Sequence, residues 1–192
     1  MTITPTDPPP RPARSAGSSL AKTHANYSHD FWTPRPWLRW VGETFRRAGF
    51  AHWFDPCPGD WTPDRPSGIH PDLRWAIPSY VNHPGARGST LEWWAKYLAE
   101  RRLGLDPFIW CAFSVEQFRH MQPSALELPG WLVAPRSRVS FIWGGPDMEA
   151  TPTRAARKHG QPMTQPGNWT AFWSTVEPAA PPVESIIIQT GR

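Results

Sequence analysis

Two short loops in this chain carry residues able to do chemistry on a bound ligand: "DPCPGD", Asp55 to Asp60, and "IPSYVN", Ile77 to Asn82. Asp55 ends a short apolar run, His52–Phe54. A carboxylate there can accept hydrogen bonds from a ligand's hydroxyls or pair with a charged amino group, and the Pro/Gly turn behind it, with Pro56 and Cys57, lets the backbone come close. The same carboxylate can instead cap the turn that follows it. In the second loop a Pro, a small hydroxyl and an aromatic ring, Pro78, Ser79 and Tyr80, succeed one another where an apolar run breaks. Two readings stand here: Tyr80 packs on the core, or its ring offers a stacking face to a base turned out of a helix. A third stretch, "RAARKHG", holds Arg154, Arg157 and Lys158. It is a solvated basic loop or, beside a nucleic acid, a set of phosphate contacts.

Other chemistries find no support in the spacings. The seven histidines form no pair at helical metal-binding spacing, and Cys57 and Cys111 stand far apart, so no metal site is expected. The chain has no G-x-S-x-G, no P-loop and no G-x-G-x-x-G.

The elements that must position these loops follow from local pattern. Thr33 and Pro34 open a helix whose Trp37, Leu38, Val41 and Phe45 recur at helical spacing, and Gly49 ends it. His52–Phe54 reads as a short buried strand, and Leu73–Ile77 as a strand entering a loop, since Pro78 biases Ile77 away from helix. Thr90 caps a second helix with Leu91, Trp94, Ala95 and Leu98 on its inner face, and Gly104 stops it. A strand at Phe108–Phe113, a short helix from Ser114, one or two strands in "GWLVAPRSRVSFIW" and a last one in "ESIIIQT" complete the series. Alternation of strands and helices predicts an α/β fold with a largely parallel sheet covered on both faces. Residues 1–29, rich in Pro, Ser, Thr and Ala, read as a disordered tail, and a long irregular Pro-rich insertion is expected at about 145–182.

The chain has 192 residues, enough for one domain with its own core. Net charge is +4 and the pI near 9.5, a mild bias compatible with a nucleic-acid partner. Thirteen Trp sit mostly inside apolar segments and so serve the core, while 25 Pro imply many irregular connections. No run approaches membrane-spanning length and no signal-peptide pattern opens the chain, so a cytoplasmic or intraviral location is expected.

The order of parts resembles the phage-type DNA adenine methyltransferases. The family opens with an acidic residue, an aromatic and Thr-Pro, then a helix, then a strand ending in Asp-Pro-Cys. A variable loop, a strand and an Asn-Pro-Pro-Tyr motif follow, and later a helix with a Trp near its start. Here the matching pieces are Trp32-Thr33-Pro34, Asp55-Pro56-Cys57, Pro78-x-Tyr80 and "LEWWAKYLAE", across about residues 30–145 and 183–190. The resemblance implies a Rossmann-like, S-adenosylmethionine-dependent methyltransferase domain over 30–192, host-cytoplasmic if phage-encoded, acting on DNA. Trp32, Thr33 and Pro34 would line the cofactor site, with Asp55, Pro56 and Cys57 beside the methionine or ribose portion. Pro78, Ser79 and Tyr80 would form the catalytic loop, Tyr80 stacking on the target base, and Arg154, Arg157 and Lys158 would touch phosphates. Where the family places an amine-accepting Asn or Asp this chain has Ile77, and Ser79 replaces the second Pro. The implied activity is methyl transfer to an exocyclic base amine, adenine first. A descendant that kept only its grip on DNA, or one modifying another base, stays open.

Overall fold

The computed structural model describes residues 31–57, 68–83, 89–112, 127–137, 139, 141–143 and 170–191. The expected tail at 1–29, the short helix from Ser114 and the basic stretch with Arg154, Arg157 and Lys158 lie outside the described residues.

In chain order the elements are β1 (Phe31–Trp32), α1 (Arg35–Arg47), β2 (Ser79–Val81), α2 (Ser89–Arg102), β3 (Phe108–Ala112), β4 (Gly130–Pro135), β5 (Ile142–Trp143), β6 (Ala171–Ser174) and β7 (Ser185–Thr190). Both helices stop where local signals place them, but Thr90, expected as a cap, lies inside α2, which begins at Ser89. Gly49 and Gly104 take φ of 94° and 95°, the left-handed conformation that closes a helix. Beside them the Phe50 N–H reaches back to the Phe45 carbonyl at 2.9 Å, and that of Leu105 to Glu100 at 3.1 Å. Thr33 does not cap α1; Pro34 holds that position, and its carbonyl accepts from the Trp37 and Leu38 amides.

The sheet corrects the expected fold class. Five strands run in the order β2-β3-β6-β4-β7, and only β2 and β3 are parallel; every other pairing is antiparallel. This is a mixed sheet, not the mostly parallel Rossmann-like one that alternation suggested. A parallel neighbour needs a long crossover, usually helical, and α2 supplies one between β2 and β3. Beyond β3, β6 and β7 run back against β4 from either side. β6 arises within the stretch read as an irregular insertion, yet lies at the middle of the sheet. β1 and β5 form a separate antiparallel pair.

Pro78 marks the start of a strand rather than the end of one. Leu73–Ile77 forms no strand, and Ile77 is half exposed. A Pro is tolerated at the first residue of a strand because its missing N–H costs no ladder bond there. Its carbonyl accepts the Phe54 amide at 2.8 Å, and the Tyr80 amide donates to the Phe54 carbonyl at 2.9 Å. The expected strand at His52–Phe54 is thereby reduced to one parallel bridge, Phe54 to Ser79.

Helices α1 and α2 pack on opposite faces of the sheet. On one, α1 packs Trp37, Trp40, Val41 and Phe45 against Tyr80, Ile109, Cys111, Val133 and Phe172. On the other, α2 packs Trp93, Trp94 and Tyr97 against Val81, Phe108, Trp110, Leu132 and Trp173. The alternation along β3, with Phe108, Trp110 and Ala112 to α2 and Ile109 and Cys111 to α1, is the period of two of a strand buried on both faces. The inner face of α2 is turned from the expected one: Leu91 is half exposed and Ala95 exposed, while Trp93 and Tyr97 are buried. Large rings bury more apolar area than Leu and Ala, and they take the core side.

Candidate functional site

Phe54 and β2 run parallel, so the residues that follow them, Asp55 and Asn82, emerge at the same end of the sheet. β1 delivers Thr33 to that end. The Thr33 Oγ1 lies 2.7 Å from the Tyr80 hydroxyl, and the Asn82 Nδ2 donates to Thr33 Oγ1 at 3.3 Å. Thr33 thus meets Tyr80 and Asn82, almost fifty positions further along the chain, through one buried hydroxyl.

Tyr80 lies wholly within the core, in the α1-side cluster. Burial first, then the neighbouring Cys111 thiol, pushes its phenol well above the ordinary range; the Thr33 hydrogen bond pulls the other way, and the Asp55 carboxylate adds to the rise. The phenol therefore stays protonated. Burial also pushes the Cys111 thiol far up, against a hydrogen bond from Tyr80. Neither group is a nucleophile at neutral pH. With no ring face exposed, Tyr80 does not offer the stacking platform expected of it.

Asp55 organises its own loop. Its Oδ1 accepts the Cys57 amide at 2.8 Å, the turn-capping role that was one of its two readings. A carboxylate carries about four lone-pair sites, so capping one turn does not exhaust it. Burial and then the Asp55 charge push the Cys57 thiol well above its ordinary range. Pro56 is buried where the chain returns: a Cβ at Gly68 would meet the Pro56 carbonyl oxygen at 2.0 Å, so only glycine fits. The Trp75 indole locks this crossing by donating to the Gly68 carbonyl at 2.7 Å.

Pro78 immediately precedes the strand and Ser79 opens it. The Ser79 hydroxyl is buried and donates to the Ala76 carbonyl at 2.5 Å. Of the cofactor-site residues expected from the resemblance, Thr33 is buried, Pro34 half-buried, and the Trp32 backbone pairs with Ile142. The structure brings together Thr33, Asp55 and Tyr80, and it adds Asn82. His83 follows, buried, its ring stacked on Trp110 at 4.6 Å and its Nδ1 3.4 Å from the Thr90 hydroxyl. The signal for Asn82 was present: Tyr80-Val81 is an apolar pair before a polar one, and "NHPG" precedes the helix carrying Trp93 and Trp94.

No family model, curated protein or solved structure matches this chain. Among the described residues no cluster of three His, Cys, Asp or Glu could hold a metal, and no helix is long and apolar enough to cross a membrane. A groove of about 700 Å³ opens on the outer side of α1, lined by Arg35, Arg39 and Arg46 beside the indole of Trp53.

Proposed function

We propose that this chain is an S-adenosylmethionine-dependent methyltransferase-like protein acting on an exocyclic amine of a DNA base, with Asn82 in place of Ile77 as the amine acceptor. The observation that carries this reading is the hydrogen-bonded meeting of Asn82, Thr33 and Tyr80 at the strand end where Asp55 also emerges. Ligands of sheets with parallel strands collect beyond the carboxyl ends of those strands. Asn82 is the first residue past β2, the position the resembling family gives to its Asn.

S-adenosylmethionine, when bound, supplies an electrophilic methyl group. Asp55 suits the cofactor because it is an acidic side chain at a strand end, on a loop made compact by the Gly68 crossing. The hydrogen bond from Asn82 Nδ2 to Thr33 turns the Oδ1 end of the amide away from Thr33. In this reading Oδ1 accepts an N–H of the base amine and orients the nitrogen lone pair. Such orientation matters, because reacting atoms must approach within about 3–3.5 Å and in line. The guanidinium groups of Arg39 and Arg46 and the Trp53 ring suit phosphate and base contacts along α1.

One feature favours a second reading, a non-catalytic DNA-binding descendant: after Asn82-His83-Pro84 comes Gly85, where the family has its stacking Tyr. The same experiment separates the two. Calorimetric titration should show S-adenosylmethionine or its demethylated product binding to wild type and more weakly to Asp55→Ala. Labelled methyl groups should enter unmethylated DNA with wild type and not with Asn82→Ala, which keeps cofactor binding. Cofactor binding without methyl transfer selects the descendant; no binding at millimolar concentration defeats the methyltransferase reading.

A further inference from the structure

β7 is an edge strand of unusual make-up. Its sequence, Ser185-Ile186-Ile187-Ile188-Gln189-Thr190, carries no charge and no Pro. Ile186, Ile187 and Ile188 are 51%, 46% and 51% exposed, three of the most exposed large apolar side chains described. They alternate across the sheet, so apolar surface is open on both faces at once. One long side of β7 is paired with β4 throughout; among the described residues no strand pairs with the other. Proteins ordinarily protect such an edge with lysine, proline, a bulge or a covering segment, because unpaired amides and carbonyls template further pairing.

We propose that β7 pairs antiparallel with β7 of a second copy of this chain, making a two-fold dimer with one sheet continuous across it. The strand is self-complementary in one register. Residues opposite each other in an antiparallel pair share a face, so a two-fold axis perpendicular to the sheet must pass through a residue position. Centred on Ile187, it sets Ile187 against the partner's Ile187, Ile186 against the partner's Ile188, and Ser185 against the partner's Gln189. Every isoleucine then meets an isoleucine. On one face Ile186 and Ile188 of both copies form a four-side-chain cluster; on the other the two Ile187 side chains meet. Glu184, the nearest charge before the strand, is paired with Arg136 of its own chain and stands opposite the partner's Thr190, so no like charges face each other.

The assembly also stops by itself. An isologous contact uses the same surface on both copies and leaves no β7 edge for a third. At the far side of the sheet β2 is capped by the Phe54 bridge, so that edge is not a second template. A dimer follows rather than a fibre.

The test is light scattering of the full chain at about 100 µM, where specific interfaces of micromolar Kd are occupied. Wild type is expected to weigh as a dimer. Ile187→Lys, which sets two ammonium groups against each other on the axis, is expected as a folded monomer by circular dichroism. Should that variant fail to fold, register is read by mild oxidation of single cysteines. Opposed antiparallel positions are about 4.5–5.5 Å apart between Cα atoms, inside the disulfide range. Ile187→Cys should cross-link to itself. Ile186→Cys should cross-link only when mixed with Ile188→Cys, and wild type, with its own Cys57 and Cys111, is the blank. A monomeric wild type, a polydisperse aggregate, or a dimer in which Ile187→Cys stays uncross-linked overturns the proposal.

Discussion

The parallel half of the sheet, Phe54 with β2 and β3, and the antiparallel half, β6 with β4 and β7, use buried polar groups differently. In the antiparallel half each ties off a strand end: the Ser174 hydroxyl donates to the Val176 carbonyl, and the Thr190 hydroxyl accepts the Trp173 indole N–H and donates to the Leu128 carbonyl. In the parallel half polar side chains converge on one another, with Thr33, Tyr80 and Asn82 meeting at one hydroxyl near Asp55. Burying a polar group is costly unless its hydrogen bonds are met, and a converging set fixes Thr33, ahead of α1, against the end of β2. The first pattern stabilises a fold. The second holds a constellation in place at the strand ends. Core substitutions in the antiparallel half should therefore alter stability alone, and substitutions at the convergence should alter activity more than stability.

The largest expected effect tests whether the halves share one core. Trp173 of β6 is fully buried and lies edge-on to Trp94 at 5.9 Å and to Tyr97 at 6.1 Å, both on the helix that connects β2 to β3. Trp173→Ala should cost about 3–5 kcal/mol, as truncation of a large buried ring does, and remove one of the rings packed against Tyr97 and Trp94. Urea denaturation checks it. A loss below about 1 kcal/mol would mean that the halves are energetically separate.

A smaller effect comes from the ion pairs beneath the parallel half. The Glu100 carboxylate, 2% exposed, meets Lys96, 9% exposed, at 2.8 Å and Arg74 at 2.9 Å, and accepts the Trp75 amide at 3.3 Å. These bonds join α2 to the segment leading into β2. Burial works against the charge, but Lys96, Arg74 and the Trp75 amide outweigh it and hold the carboxyl below its ordinary 4.5. A depressed folded-state pKa means that the unfolded chain binds the proton more readily. The stabilisation is thus fully present above the ordinary value and is lost as pH falls through the folded one. Glu100→Ala leaves Lys96 buried without its carboxylate and should cost about 3 kcal/mol at neutral pH. Glu100→Gln should flatten the acid limb of the stability–pH curve. An unchanged acid limb would show that other carboxylates govern it.

How much of this was legible from residues alone differs by element. Helices α1 and α2 were, because their apolar period and the closing Gly49 and Gly104 are local signals. The inner face of α2 was misread by favouring Leu91 and Ala95 over Trp93 and Tyr97, a choice that rings settle by buried area. Strand direction was not legible: whether β6 runs with or against β3 depends on pairing between residues more than fifty positions apart, such as Trp110 with Trp173. Pro78 misled most. Read as the end of a strand, it moved the expected anchor to Ile77; as the residue before β2, it moves the strand end to Val81 and the proposed anchor to Asn82. Thr33, Asp55 and Tyr80 were found as residues, but the role given to Tyr80 changed once its ring proved buried.

Within the convergence, Tyr80→Phe removes one hydroxyl and keeps the ring. A neutral hydrogen bond is worth about 1 kcal/mol net, so the fold should lose about that much. Thr33 would then hold Asn82 with its own hydroxyl no longer fixed by the phenol. Methyl transfer should fall by more than the stability loss explains, with S-adenosylmethionine affinity unchanged. Equal small losses in both would make Tyr80 a core residue only. The phenol is held protonated by burial, so wild type and Tyr80→Phe should share one pH–rate profile up to the alkaline limit of folding.

The smallest expected effect is the most discriminating. Ile77 is 49% exposed, lies before the strand, and no described hydrogen bond among Thr33, Tyr80 and Asn82 involves it. Were it the drifted anchor of the site, Ile77→Asn would create or raise methylation by restoring an acceptor beside Pro78. With the strand ending at Val81, an amide at position 77 sits on the near side of β2 from the strand end, separated from Asn82 by the whole of Pro78 to Val81. Substitution of an exposed side chain away from special features changes stability by about 0.5 kcal/mol or less. Ile77→Asn should therefore leave both the fold and methyl incorporation as in wild type, and it should not rescue Asn82→Ala. Labelled-methyl incorporation into unmethylated DNA by the two single variants and the double variant decides it. A gain on Ile77→Asn, or rescue of Asn82→Ala by it, would return the anchor to the loop before β2 and remove Asn82 from the chemistry.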